Sequence, residues 1–241
     1  MSAITLYDIP EFEVKTIANK DLVIFDSHNL ALPIWGEYAS RIKKPLHLVS
    51  FDTHTDTHPA FCSYLGKKGM KTEYNKEKVM SIPQVNEYIS QYHYRRDDYS
   101  LGDVFCFAEK IPNTEQILTG IALDYLCSYT IINHGESKKA NYEDYDRLNG
   151  LDATYLGDFD KRGIQIRTPL ALDFDLDYFT SPSIFDEEFE LIIHPLIRAA
   201  EVISIAREPY YFENSKIKKD YTWREAQDTL LSIINDVLVD S

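Results

Sequence analysis

Three side chains able to ligate a metal stand at alternate positions in Asp52-Thr-His54-Thr-Asp56, immediately after the apolar run Leu46 to Phe51. A second apolar run, Pro169 to Phe174, leads into Asp175 and Asp177, with Asp173 just before them. Carboxylates at the end of a buried strand are costly unless a cation or hydrogen bonds compensate them. Three aspartates in five residues would repel one another unless positive charge sat between them. If the backbone after residue 51 stays extended, Asp52, His54 and Asp56 point to one side. His28 ends a third run, Leu22 to Phe25, and joins the set through its place at a strand end. Four aspartates and two neutral histidines carry a charge that balances two divalent cations. Oxygen-rich donors with two imidazoles suit Mn2+ better than a thiolate zinc site, and two metals sharing carboxylates can hold an ionised water at neutral pH.

The elements that must position these residues follow from apolar periodicity. Leu22 to Phe25, Leu46 to Phe51, Tyr125 to Ile132, Pro169 to Phe174 and Val202 to Ala206 are predicted strands. Ala31 to Ile42, a segment opened by Ser81, Asp186 to Ala200 and a last segment capped by Thr222 and Glu225 are predicted helices. Residues 63–80 and 136–163 lack a period and are read as loop insertions. Alternation of strand and helix predicts one domain over residues 1–241, an α/β fold of three layers, α/β/α, with a mostly parallel sheet. In such sheets function sits at the C-terminal ends of strands, where the candidate ligands are. No glycine-rich phosphate fingerprint follows the first strand, which removes the main support for a nucleotide-binding fold.

Of the 241 residues 44% are hydrophobic and 27% charged, with a formal net charge of −14. That balance excludes a disordered chain and argues against nucleic acid or anionic membrane as a partner; a cationic substrate is favoured. With no long apolar segment and no basic amino-terminal stretch, a cytoplasmic location is expected. Cys62, Cys106 and Cys127 show no paired spacing and are read as reduced, mostly buried thiols.

The segments His28-Asn-Leu-Ala-Leu-Pro-Ile-Trp35, Ser50-Phe-Asp-Thr-His-Thr-Asp56 and Leu172-Asp-Phe-Asp-Leu-Asp-Tyr-Phe179 resemble the arginase-like superfamily of ureohydrolases and deacetylases. The branch most similar contains peptide arginases, which convert peptidyl arginine to ornithine. The resemblance implies two Mn2+ ions, one on His28, Asp52, Asp56 and Asp175, the other on Asp52, His54, Asp175 and Asp177, with Asp52 and Asp175 bridging. It implies an arginine-containing peptide or protein as substrate, with Asp56 accepting a hydrogen bond from the attacking water. Asp173 falls outside the ligand set, as a supporting residue. His134 or His58 is the candidate proton donor to the leaving amine. Glu208 is a candidate for guanidinium binding; a surface ion pair with Arg207 or Arg224 is its alternative. The acid-rich stretch with Glu143, Asp144 and Asp146 is a candidate docking surface for a cationic peptide. Two other functions remain open at this point: a deacetylase-type amide hydrolase of the same fold, though no adjacent pair of histidines is present, and a catalytically silent metal- or partner-binding protein.

Overall fold

The computed structural model describes residues 4–58, 60–61, 63, 94–133, 152–157 and 163–239. Seven strands among them form one sheet in the order β1-β2-β7-β6-β3-β4-β5. These are β1 (Glu13–Ile17), β2 (Lys20–Phe25), β3 (Leu46–Phe51), β4 (Leu126–Asn133), β5 (Asp152–Gly157), β6 (Leu170–Asp175) and β7 (Ala200–Ala206). Only β1 is antiparallel, pairing with β2 so that Val14 faces Val23; every other neighbour is parallel.

The chain enters the middle of the sheet at β3, runs outward through β4 and β5, then returns to the other side of β3 as β6 and continues to β7. β3 and β6 are therefore neighbours from which the strand order departs in opposite directions. The crevice beyond their C-terminal ends is where open α/β sheets hold ligands. Both aspartate-bearing segments lie there.

Two apolar layers sandwich the sheet. On one side α1 (Ala31–Ile42), α2 (Leu101–Ala108) and α3 (Gln116–Ala122) supply Trp35, Tyr38, Val104, Phe107, Ile117 and Leu118. On the other, α4 (Glu187–Ala199) and α6 (Trp223–Val239) supply Phe189, Ile193, Leu196, Leu230 and Ile234. Each such side chain stabilises the fold by about 1.5–3 kcal/mol on burial. A short helix, α5 (Pro209–Ser215), follows β7. Gly36 lets α1 approach two rings closely: a Cβ there would lie 2.5 Å from the Tyr99 ring and 2.9 Å from that of Tyr125. The three-layer α/β architecture with a mostly parallel sheet is thus as the sequence predicts.

The predicted helix over Ala31 to Ile42 is α1, and Asp186 caps α4 through a 2.8 Å bond from the Phe189 amide. Thr222 and Glu225 close a capping box at α6, with bonds of 2.9 Å and 3.3 Å. Two readings are corrected here. The interval 136–163, taken as an insertion, contains β5, which pairs in parallel with β4 over Asp152 to Gly157. Ala153, Thr154, Tyr155 and Leu156 make a strand, but at the sheet edge none of its residues is fully buried, so no apolar run marks it. Cys106 and Cys127 are exposed, not buried. The helix expected after Ser81, the loop 64–80, Cys62 and the docking acids Glu143, Asp144 and Asp146 lie outside the described residues. No helix among the described residues is long and apolar enough to cross a membrane.

Candidate metal centre

His28 opens a single helical turn between β2 and α1 and is fully buried. Its Nε2 lies 2.7 Å from Asp173 Oδ2, which also accepts the Ser50 hydroxyl at 2.8 Å; Ser204 donates to the other oxygen of Asp173. Asp173 is thus engaged on both oxygens, and it fixes the imidazole so that the Nδ1 lone pair points away from it. That is the carboxylate–histidine pairing that orients metal-ligating imidazoles. Nδ1 lies 3.0 Å from an oxygen of Asp56, 3.3 Å from Asp175 and 3.5 Å from Asp52, with a directed hydrogen bond to none of them.

Asp52 directly follows β3 and is 1% exposed; its Oδ1 accepts the His54 amide at 2.6 Å. The extended backbone expected over 52–56 is not what brings these ligands together. β3 ends at Phe51, and Asp56 is left-handed at φ 46°. The chain turns, so Asp56 joins the His28 side while His54 faces Asp177, 3.2 Å from Nδ1 to Oδ2. Asp175 is the last residue of β6, and its Oδ1 accepts the Asp177 amide at 3.2 Å. Thr53 fastens the two strand ends, donating its hydroxyl to the Asp177 carbonyl at 2.9 Å.

The result is two sets of ligand atoms, each within 4.8 Å of one another: His28, Asp52 and Asp175 in one, Asp52, His54 and Asp177 in the other. Asp52 belongs to both; Asp175 belongs to the first. Asp56 adjoins the first set through His28. Three of these atoms, His28 Nδ1, Asp52 Oδ2 and Asp177 Oδ2, are buried without a hydrogen-bond partner. Leaving such atoms unpaired costs about 1–3 kcal/mol each, more when charged. Among the described residues only histidines form ion pairs with Asp52, Asp56, Asp175 and Asp177. A divalent cation in each set satisfies both deficits, and the donors, oxygens and imidazole nitrogens without a thiolate, fit such cations.

The electrostatics agree. Burial raises the Asp52 carboxyl well above the ordinary range, and the charges of Asp56 and Asp175 raise it further. Burial and then Asp177 do the same to Asp175. Burial pulls the His28 imidazolium down, but Asp173, Asp175 and Asp56 outweigh it and hold it well above its usual value. The hydrogen bond to Asp177 lifts His54 to about 9.

Glu208 follows β7 and is 5% exposed, in left-handed backbone at φ 37°. Its Oε1 accepts the His28 amide at 3.0 Å and the Asn113 side-chain amide. The surface ion pair considered as its alternative is not formed: Arg207 pairs with Asp26 at 2.6 Å and with Glu13, and Arg224 lies over the Trp223 ring. Burial raises the Glu208 carboxyl. Glu208 and Asp56 are the two site acids in a backbone region that costs a non-glycine residue about 1–3 kcal/mol, a cost concentrated at functional sites. His58 has its amide bonded to the Thr114 carbonyl at 2.8 Å, and burial lowers its imidazole pKa while Asp56 opposes. It belongs to neither ligand set. His134 lies outside the described residues.

Four supporting residues of the site escaped the sequence reading, Gln116, Asn113, Ser50 and Ser204. Gln116, fully buried at the start of α3, donates from Nε2 to Asp56 Oδ2 at 2.7 Å, and Asn113, three residues earlier, braces Glu208. In the string Pro112-Asn-Thr-Glu-Gln116 both look like ordinary loop and cap residues, and only their burial distinguishes them. Ser50 and Ser204 were detectable, each an isolated hydroxyl near the end of an apolar strand.

The sequence matches no protein-family model and no curated protein. Among solved structures the chain is similar to proclavaminate amidino hydrolase from Streptomyces clavuligerus, at a TM-score of 0.47 and 13% identity over 90% of this chain. The matched region spans 64% of that protein's chain, and the metal centre of this chain stands on its own geometry.

Proposed function

We propose that the chain is a dinuclear, manganese-dependent hydrolase that cleaves the guanidinium of peptidyl arginine to ornithine and urea. The observation that carries the hydrolase reading is Asp52, shared by two sets of ligands whose donor atoms are buried and unpaired. The guanidine substrate rests on the resemblance of the segments around His28, Asp52 and Asp175 to ureohydrolases, and the acidity of the site is compatible with a cation. When bound, the two cations acidify water and neutralise charge developing at the reacting carbon.

The chain's own residues supply the rest. Asp56, held by Gln116, is poised to accept a hydrogen bond from the attacking water. Glu208, kept in place by Asn113 and the His28 amide, sets a carboxylate against the substrate cation. His58 or His134 donates the proton that lets the ornithine amine leave. Water adds to the guanidinium carbon, the bond from that carbon to the side-chain nitrogen breaks, and urea departs.

The test is incubation of the Mn2+-loaded protein with arginine-containing and acetyl-lysine-containing peptides. A peptide mass reduced by the elements of cyanamide, with urea in solution, establishes guanidine hydrolysis. Acetate release instead establishes the amide hydrolase, and neither product leaves a metal-binding protein without this chemistry.

A further inference from the structure

The centre is not buried equally on all sides. His28, Asp52, Asp56, Asp175, Asp177 and Glu208 are each at most 6% exposed, whereas the His54 side chain is 53% exposed. Among the described residues the opening therefore lies on the His54 side. Immediately outside it stands α5, whose Tyr211 ring packs edge-on to His54 with centroids 6.4 Å apart. Tyr210 packs edge-on to Tyr211 at 5.6 Å. Exposure rises along this line, to 46% at Tyr211 and 75% at Tyr210. Phe212 is the buried residue of α5, so these two consecutive aromatic rings keep much of their apolar surface in water.

We infer that Tyr211 and Tyr210 form a platform for the peptide chain of the substrate, leading away from the metal centre past His54. The inference rests on the hydrolase reading with its peptide substrate and adds where the chain of that peptide lies and which side chains hold it. Extended peptide rises about 3.3 Å per residue, so each ring spacing is crossed by roughly two residues. Tyrosine is well matched to such a platform, because its ring packs on peptide planes and aliphatic stems, its hydroxyl stays in water, and it loses few rotamers on binding. The reacting side chain fills the buried centre, and its backbone lies on the rings.

The test compares kcat and KM for a pentapeptide with central arginine and for agmatine, which has no peptide chain. The proteins are the Mn2+-loaded wild type, Tyr211→Ala, Tyr210→Ala and Tyr211→Phe, with metal content measured in each. Stacking of this kind leads us to expect a KM for the peptide roughly three- to tenfold higher in Tyr211→Ala, and about twofold higher in Tyr210→Ala. Tyr211→Phe should match the wild type, and agmatine should show no change in any variant. Unchanged peptide KM in both alanine variants overturns the platform. So does an equal rise for agmatine, which would mean that Tyr211 acts only by supporting His54. Tyr210→Ala guards against that, because Tyr210 packs on Tyr211 and not on a ligand. If the wild type hydrolyses neither compound the enzymatic reading fails, and calorimetric binding of the intact pentapeptide to the same proteins then decides. Affinity weakened by the alanine substitutions sustains the platform; no binding, or unaltered binding, removes it.

Discussion

The two halves of the metal centre are built differently. Around His28 every group is buried and braced from behind: Asp173 holds the imidazole, Ser50 and Ser204 hold Asp173, Gln116 holds Asp56, and Glu208 holds the His28 amide. Around His54 the ligands hang on backbone contacts within two strand ends, the imidazole is half exposed, and the neighbouring ring belongs to an exposed helix. The first half has the rigidity of the sheet; the second has access to solvent. On the dinuclear reading proposed above, the centre divides its work between a fixed site and an open one.

The sharpest way to break that division is to remove what both halves share. Asp52→Ala should empty both sites and lower turnover by about a thousandfold or more, the scale of several kcal/mol of lost metal stabilisation. Elemental analysis of the purified variant checks it, and two retained metals would refute a shared ligand. Next in size is Asp173→Asn, which leaves the shape but removes the negative charge and one of the two acceptor oxygens that brace His28. Loss of such a partner costs about 10–100-fold in metal affinity. Competition with a metal-binding dye should show one site weakened and the other intact, while His54→Ala should show the reverse. Asp175→Ala should follow the Asp173 pattern, and simultaneous loss of both metals there would make Asp175 a second bridge.

Gln116→Ala tests bracing without touching a ligand. Asp56 then loses a buried donor, worth about 1.5–3 kcal/mol for a charged acceptor. Turnover should fall on the order of tenfold with metal content retained. The smallest effect separates the halves by pH. His54 has its pKa raised from 6.5 to about 9 in the metal-free protein, through Asp177. Because the folded value exceeds the unfolded one, its contribution to stability is complete below pH 6.5 and disappears as pH climbs through about 9. The melting temperature of chelated protein should therefore decline across that window more than that of chelated His54→Gln. In the loaded protein a metal competes with that proton for His54, so the stabilisation by metal should grow with pH in the wild type and do so less in His54→Gln.

What the sequence disclosed follows the same division. Strands buried on both faces, such as β3 and β6, read as mostly apolar runs, and the helices that cover them as stripes; their ends exposed the aspartate segments directly. β1 and β5 lie at sheet edges, where partial exposure dilutes the pattern, and neither was read. The ligand types at 28, 52–56 and 175–177 were visible because acids after apolar strands demand an explanation. Their arrangement was not, since it turns on the left-handed backbone at Asp56. Asn113 and Gln116 act through contacts with residues 95 and 60 positions away, and no local spacing encodes such distances.

The bond from the His28 amide to Glu208 spans 180 positions, and β2, which delivers His28, is bordered by β1 and by β7, the last strand of the sheet. During vectorial synthesis β2 emerges early and waits for most of the chain before its parallel neighbour exists. Parallel pairing at such separation is slow, because loop closure must precede any gain from contact. Until then the aspartates after β3 can be joined by those of β6, but His28 lacks the bracing that arrives with β7, Ser204 on Asp173 and Glu208 on its amide. Completion of the His28 set is accordingly the last step in building the site. A chain interrupted before β7 carries all three residues of the His54 set but lacks the braces of the His28 set.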